Sequence, residues 1–273
     1  MTMGPKTILS PDPAGFPEFK RALTDDMAKT GWHFHIAGNG PFDRFQVLGE
    51  RGCGTNVIRK TVQDALQIKR TEALGWKHGV PNMIALPPTF LTICAVRAPQ
   101  KWAHSLYKRP WHAAPSVQSL GFAEFLRTPW QSYVDKLSHF DGIAPRLQPL
   151  GEELQWDRHP ITGAQYENIF AMRTLKQRAL LSLPTRGASV VYVSLDAFNA
   201  APEAFLADLS AAFGLGYTTQ GYAPVERRMG NRWTAAVEDR TPAPETWAQD
   251  DITWMHSQLD PEIETALGFT PTP

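Results

Sequence analysis

Two uninterrupted apolar runs constrain the fold most strongly: Thr89–Val96 (TFLTICAV) and Ala188–Leu195 (ASVVYVSL). Continuously apolar strands are typical of a parallel sheet, because helices cover both of its faces. A run over Asp43–Leu48 (DRFQVL) predicts a third strand. Helices are predicted around these strands at Pro17–Thr30, Thr55–Arg70, Pro99–Tyr107, Phe122–Leu137, Gln165–Leu183, Pro202–Phe213 and Pro261–Leu267, the fourth of them interrupted or kinked near Pro129. This alternation indicates βαβ units and an α/β fold with a central, mostly parallel sheet flanked by helices.

The size of the chain predicts one large domain, since it has 273 residues of which 42% are hydrophobic. We assign residues 1–273 to this domain, with 1–41 as an N-terminal extension and 221–273 as an irregular C-terminal segment. Lys+Arg and Asp+Glu both number 27, so the formal net charge is zero. This balance predicts neither a nucleic-acid partner nor a membrane-surface partner.

The two cysteines, Cys53 and Cys94, stand in a glycine-rich segment and in an apolar run. Neither context predicts a disulfide framework or a zinc site, and this usage fits a reducing compartment. The N-terminal residues lack the apolar core of a signal peptide. No apolar run approaches the ~18 residues of a membrane span, so we expect a cytoplasmic protein.

A glycine-rich segment, Gly49–Asn56 (GERGCGTN), lies between a predicted strand and a predicted helix. In this context glycines let the backbone approach an anion, and the N–H groups at the helix start hold it. The spacing from Gly49 to Gly54 matches a nucleoside-triphosphatase loop, but Thr55 and Asn56 replace its Lys and its Ser or Thr. In that loop the Lys normally neutralises phosphate and the Ser or Thr binds Mg²⁺. A ligand that carries less charge than a nucleoside triphosphate and is used without metal therefore fits this segment better. A kinase or NTPase with a degenerate loop stays an alternative.

A cation and a hydroxyl follow the Thr89–Val96 run, at Arg97 and Ser105. Arg97 stands at the carboxyl end of a predicted central strand, where open α/β sheets bind ligands. An arginine can donate two hydrogen bonds to a phosphate, and a serine hydroxyl can add one. These residues therefore predict a second anion contact beside the glycine-rich segment.

Together these segments resemble the sulfotransferases that use 3′-phosphoadenosine 5′-phosphosulfate. That family carries [KR]-[ST]-G-T-[TN] in a strand-loop-helix unit and R-x-P-x5-S-x-[YF] after a later strand. The corresponding segments here are Gly52-Cys53-Gly54-Thr55-Asn56, and Arg97-Ala98-Pro99 through Ser105-Leu106-Tyr107. The resemblance implies a P-loop-type three-layer sandwich, that co-substrate, and no metal.

The first motif departs from the family at Gly52 and Cys53, which replace a basic residue and a Ser. Arg51, one position earlier, is the candidate for the missing charge. Arg227, Arg228 and Gly230 resemble the family's late basic segment that covers the 3′-phosphate. These departures keep open a relative that binds nucleotide without catalysis.

The candidate base is His78, in the segment Lys77-His78-Gly79-Val80-Pro81. In the resembled family a Lys-x-His-x-Pro segment at the second strand brings a base to the sulfuryl group, although here Lys77 directly precedes His78. Glu50 is an alternative base. His33 and His35 alternate as strand residues do, without nearby metal-ligand spacing.

The acceptor is expected to be a small molecule or a glycan that offers a hydroxyl or an amine. An aromatic pocket for it is one interpretation of the four tryptophans near these motifs, and core packing is the other. The residues are Trp76, Trp102, Trp111 and Trp130.

Overall fold

The computed structural model describes residues 16–37, 41–66, 68–140, 149–217 and 233–269. The strands are β1 Trp32–His35, β2 Arg44–Leu48, β3 Lys69–Arg70, β4 Phe90–Val96 and β5 Ser189–Ser194. The helices are α1 Phe16–Lys29, α2 Thr55–Leu66, α3 Pro99–Lys108, α4 Pro115–Gln118, α5 Phe122–Arg127, α6 Ile169–Leu181, α7 Leu195–Ala200, α8 Pro202–Phe213, α9 Gln249–Gln258 and α10 Pro261–Ala266. None of the helices in these ranges is both long enough and apolar enough to cross a membrane.

The five strands form one sheet in the order β1-β5-β4-β2-β3. Strands β2, β3, β4 and β5 pair in parallel, and β1 joins the edge of β5 antiparallel. The sheet is therefore mostly parallel, as the sequence predicts.

The central strand β4 is buried along its whole length. Its alternate residues Leu91, Ile93 and Ala95 join one hydrophobic cluster, which also contains residues of α2, α3 and α8. The intervening Cys94 and Val96 join a second cluster, to which α1, α6 and α10 contribute. Helices thus cover both faces of the sheet, which explains why the sequence of β4 is continuously apolar.

Residues 16–37, the described part of the N-terminal region, supply helix α1 and the edge strand β1. Helix α1 packs on β1 and α10, and Trp32 of β1 pairs with Val193 of β5. The C-terminal segment contains α9 in addition to the predicted α10. Both ends of the described chain are therefore integrated into the helical layers.

Three predicted helices are too long. The helix predicted over Gln165–Leu183 spans Ile169–Leu181, because the Asn168 side chain caps its start by accepting from the N–H groups of Phe170 and Ala171. The helix predicted over Phe122–Leu137, with its break near Pro129, ends at Arg127 and does not resume, and the following backbone is extended at Thr128. The reason is Pro129, which disfavours the α conformation at the residue before it. The helix predicted to reach Arg70 ends at Leu66, because residues 69 and 70 form strand β3 beside β2.

Candidate functional site

A cavity of about 850 Å³ opens at the carboxyl edge of the parallel strands. Strands β2, β4 and β5 end here in register, since Leu48 pairs with Cys94 and Val96 pairs with Ser194. The volume lies within the about 300–1,000 Å³ typical of ligand pockets. The wall contains Arg51, Gly52, Gly54, Thr55, Asn56, Val57, Arg59, Glu72, Gly75, Trp76, Lys77, His78, Arg97, Ser105, Arg109, Trp111, His112, Ser138, His139, Trp156, Leu195 and Asn199.

The glycine loop (Gly49–Asn56) connects β2 to α2 along one wall of this cavity. Gly54 has φ 80°, and a Cβ there would collide with the Leu195 side chain. Gly52 has φ 81°, and a Cβ there would lie 3.1 Å from Ser105 Oγ. The first N–H groups of α2 have no partner within the helix, so this helix start can bind an anion.

Arg97 and Ser105 lie against the glycine loop, as the sequence predicts. Arg97 follows β4 and donates from Nη1 to the Gly52 carbonyl oxygen at 3.0 Å. Its backbone carbonyl accepts from Arg173 Nη2 at 3.0 Å, which fixes the base of the side chain. Arg97, Ser105 and the loop therefore form one continuous surface of the cavity wall.

Lys77 and His78 reach the same wall from a turn, whereas the sequence placed them at the next strand. The Gly49 N–H donates to the Lys77 carbonyl at 2.9 Å. His78 Nδ1 lies 2.7 Å from the Gly49 carbonyl oxygen, and Lys77 Nζ donates to Asn56 Oδ1 at 2.7 Å. Three hydrogen bonds thus hold this turn against the glycine loop.

The environment of this turn sets the protonation of both side chains. A carbonyl oxygen only accepts, so His78 Nδ1 carries the proton and Nε2 keeps its lone pair. Burial lowers the pKa of His78 well below 6.5, and the Lys77 charge lowers it further. Burial also lowers the pKa of Lys77 to about 8, with a contribution from Arg59. At neutral pH His78 is therefore a neutral base beside a mostly charged lysine.

Two side chains of the loop, Glu50 and Cys53, do not line the cavity. Cys53 is fully buried, and burial raises the pKa of its thiol to about 12. Glu50 is 2% exposed, and burial raises its pKa although Lys176 lies 3.6 Å away. Glu50 therefore lies beneath the loop instead of in the position of a base, and Cys53 can contribute to an anion site only through its backbone.

Arg51 borders the cavity, but its charge is already paired. Its guanidinium forms a salt bridge with Asp157 and lies 4.9 Å from the centre of the Trp76 ring. Asp157 also accepts from Lys176 Nζ at 2.7 Å and from Trp130 Nε1 at 2.8 Å. Burial favours the neutral form of Asp157, but Arg51 and Lys176 outweigh it and hold the pKa of Asp157 well below its usual range.

This buried charge network (Glu50, Arg51, Asp157 and Lys176) is a feature that the sequence analysis missed. The signal for it lies in α6. Arg173 and Lys176 are among the buried residues of this helix although both are basic. Basic residues at buried positions of a helix require a buried partner. Their partners, Asp157 and Glu264, are distant in sequence and could not be assigned from it.

The tryptophans divide between the cavity and the core. Trp76 and Trp111 line the cavity, together with Trp156, which the sequence analysis did not select. Trp102 and Trp130 are buried in the main core cluster. The aromatic-pocket interpretation therefore applies to half of the proposed set.

A histidine cluster (His112, Asp135 and His139) stands beside these tryptophans. One potential ligand atom from each residue lies within 4.8 Å of the other two. His33, by contrast, bonds through Nδ1 to Asp26 Oδ2 at 2.7 Å. Among the described residues, the histidine cluster is the group with metal-ligand spacing.

Arg227, Arg228 and Gly230 lie outside the described residues. Comparisons of the chain with protein-family models, curated proteins and solved structures give no significant match. The functional argument therefore depends on the cavity itself.

Proposed function

We propose that this protein is a sulfotransferase that moves a sulfuryl group from 3′-phosphoadenosine 5′-phosphosulfate to a hydroxyl or amine acceptor. The observation that carries the proposal is the convergence of separate chain segments on one cavity. The glycine loop, Arg97 with Ser105, and Lys77 with His78 all line its wall. The first two segments each supply an anion contact. The third supplies a movable positive charge, at Lys77, and a base, at His78.

The donor's two phosphate groups match the two anion contacts. The 5′-phosphosulfate would lie on the glycine loop and the start of α2, where N–H groups and the helix dipole favour negative charge. The 3′-phosphate would lie against Arg97 and Ser105, as the family resemblance implies. Arg97 uses Nη1 for Gly52, and the other N–H groups of the guanidinium can donate to phosphate.

Lys77 would supply the charge that the glycine loop lacks. Arg51 is committed to Asp157, whereas Lys77 Nζ donates to a neutral amide oxygen of Asn56. An ammonium on a flexible stem can exchange this partner for a ligand oxygen. Charge on the 5′-phosphate increases as the sulfur–oxygen bond breaks, so a cation here stabilises the leaving group.

His78 would accept the acceptor's proton at Nε2. As the acceptor oxygen or nitrogen forms its bond to sulfur, the bond from sulfur to the 5′-phosphate oxygen breaks. The hydrogen bond from Nδ1 to Gly49 fixes the ring orientation and the tautomer. Such a base typically contributes about 10²–10⁴-fold to the rate.

Thermal unfolding with nucleotides tests the proposal without knowledge of the acceptor. We expect 3′-phosphoadenosine 5′-phosphate to raise the Tm in the presence of a chelator, because ligand at 100 times its Kd adds about 2.7 kcal/mol. The Arg97→Ala and Lys77→Ala variants should lose most of this shift. Lys60→Ala is a matched control, since Lys60 is half exposed and pairs with Asp64 on α2.

The alternatives predict different outcomes in the same assay. A degenerate kinase or NTPase would be stabilised by ATP only with Mg²⁺, and that result would refute the proposal. A non-catalytic relative would show the nucleotide shift but no transfer of labelled sulfate to a panel of phenols, alcohols and glycans.

A further inference from the structure

The histidine cluster is a compact set of ligand groups that the proposed sulfuryl transfer does not use. Asp135 Oδ1 lies 2.7 Å from His112 Nδ1 and 3.6 Å from His139 Nδ1. Ligand atoms of a tetrahedral zinc ion are about 3.3 Å apart, given metal–ligand distances of about 2.0–2.2 Å. The separations of 2.7 Å and 3.6 Å lie on either side of this value.

Backbone contacts fix the cluster before any ion binds. The Tyr133 N–H donates to the His112 carbonyl at 2.8 Å, and Ala113 forms a bridge with Ser132. These bonds hold the segment of His112 beside the segment of Asp135. His139 ends a short 3₁₀ helix, and its ring packs edge-on against Trp111 at 5.6 Å.

Two local features indicate that the cluster lacks a component. His139 Nδ1 is buried, and its neighbour Asp135 Oδ1 lies 3.6 Å away, beyond hydrogen-bond distance, so that this atom has no hydrogen bond among the described residues, although buried polar atoms normally have one. His112 has φ 65°, the one positive value among the described residues other than glycine. Unfavourable backbone conformations of this kind concentrate at functional sites.

We propose that His112, Asp135 and His139 bind a divalent transition-metal ion, with zinc the best match. Two imidazoles and one carboxylate suit zinc better than magnesium or calcium, which prefer oxygen ligands. An ion at His112 Nδ1 would replace the proton that now joins this atom to Asp135. Three protein ligands with an open fourth position are typical of zinc sites that bind water or substrate.

The open position would face the cavity, because His112 and His139 both line it. Trp76 and Trp111 border the same region, at ring distances of 5.8 Å and 6.2 Å from His112. If the proposed function holds, an oxygen of the acceptor is the ligand for this position. Metal binding itself does not depend on that function, since the glycine loop and Arg97 are separate from the cluster.

Cobalt substitution tests the site directly. The untagged chain is treated with chelator, exchanged into chelator-free buffer and titrated with Co²⁺, and the visible absorption band is recorded. Zinc is then added to displace the cobalt. The His139→Ala and Asp135→Asn variants are titrated in parallel. His256→Ala is the control, since His256 lies in α9 outside the cluster.

We expect one equivalent of Co²⁺ per chain, displaced by one equivalent of zinc. Both cluster variants should bind at least about tenfold more weakly, and His256→Ala should match the wild type. No band in the wild type, or equal bands in all variants, overturns the proposal. The Tm shift with 3′-phosphoadenosine 5′-phosphate is measured on the same samples. A sample that shows this shift but binds no Co²⁺ refutes the metal site and leaves the proposed function standing. His139 is partly exposed, so its loss should leave the fold intact.

Discussion

Replacement of Asp157 by alanine gives the largest predicted effect on stability. The carboxylate is the acceptor for Arg51, Lys176 and Trp130, and its side chain is 1% exposed. Asp157→Ala leaves the charges of Arg51 and Lys176 buried without the carboxylate that pairs with both. Breaking a buried ion pair in this way costs about 3–5 kcal/mol, against a total stability of about 5–15 kcal/mol.

Urea unfolding at neutral pH measures this cost. Asp64→Ala is the matched control, because Asp64 pairs with Lys60 on the surface of α2, and an exposed pair of this kind contributes about 0.3–0.5 kcal/mol. The expected difference between the variants is thus several kcal/mol. Equal costs for Asp64→Ala and Asp157→Ala would refute the assignment of a buried charge network.

The pH dependence of the same variant gives an independent check. The pKa of Asp157 is lower in the folded protein than in the unfolded chain. Its contribution is therefore complete above about pH 5 and is lost as the pH falls through the folded-state pKa. The stability difference between wild type and Asp157→Ala should narrow in acid, and a constant difference would contradict the ion-pair explanation.

Three further predictions concern the cavity. His78→Gln should lower the rate of sulfate transfer by about 10²–10⁴-fold and leave the nucleotide-induced Tm shift unchanged. If the variant loses the Tm shift together with the transfer activity, His78 is a structural residue and not the base. Because the pKa of His78 lies well below 6.5, the wild-type transfer rate should stay flat from pH 6.5 to 7.5 and decrease only in more acidic buffer. A transfer rate that already decreases as the pH is lowered from 7.5 would exclude His78 as the base. Gly54→Ala should abolish nucleotide binding measured by calorimetry, because the φ of 80° and the contact with Leu195 force the loop to move; unchanged affinity would show that the loop does not bind the ligand.

Local patterns in the sequence predicted the elements that fill the core. Helix α8 has the predicted bounds, Pro202–Phe213, since its proline start and apolar content are local signals. Strand β4 begins one residue later than predicted. By contrast, β1 exists through its antiparallel pairing with β5, and α9 packs on α5 and α6. These contacts are long-range. The alternation of His33 and His35 indicated an extended segment at β1, but no local pattern encodes its pairing partner or the packing of α9.

The candidate site also has a part that local sequence patterns predicted and a part that depends on long-range contacts. The glycine loop and Arg97 follow directly from strands, and parallel strands bring their carboxyl ends to one edge, so the sequence predicted their meeting. His78 reaches this edge through a hydrogen bond to Gly49, although no strand carries it there. Asp157 and the histidine cluster depend on the packing of the irregular segments after α3, and sequence spacing gives no access to that packing.

A calorimetric comparison of two nucleotides tests the central claim most directly. The wild-type chain, with chelator present, is titrated with 3′-phosphoadenosine 5′-phosphate and separately with adenosine 5′-phosphate. We predict one site for the first ligand and an affinity at least about tenfold higher than for the second, because charged hydrogen bonds contribute about 1.5–3 kcal/mol each. Equal affinities, or binding of ATP that requires Mg²⁺ without binding of 3′-phosphoadenosine 5′-phosphate, would contradict the account.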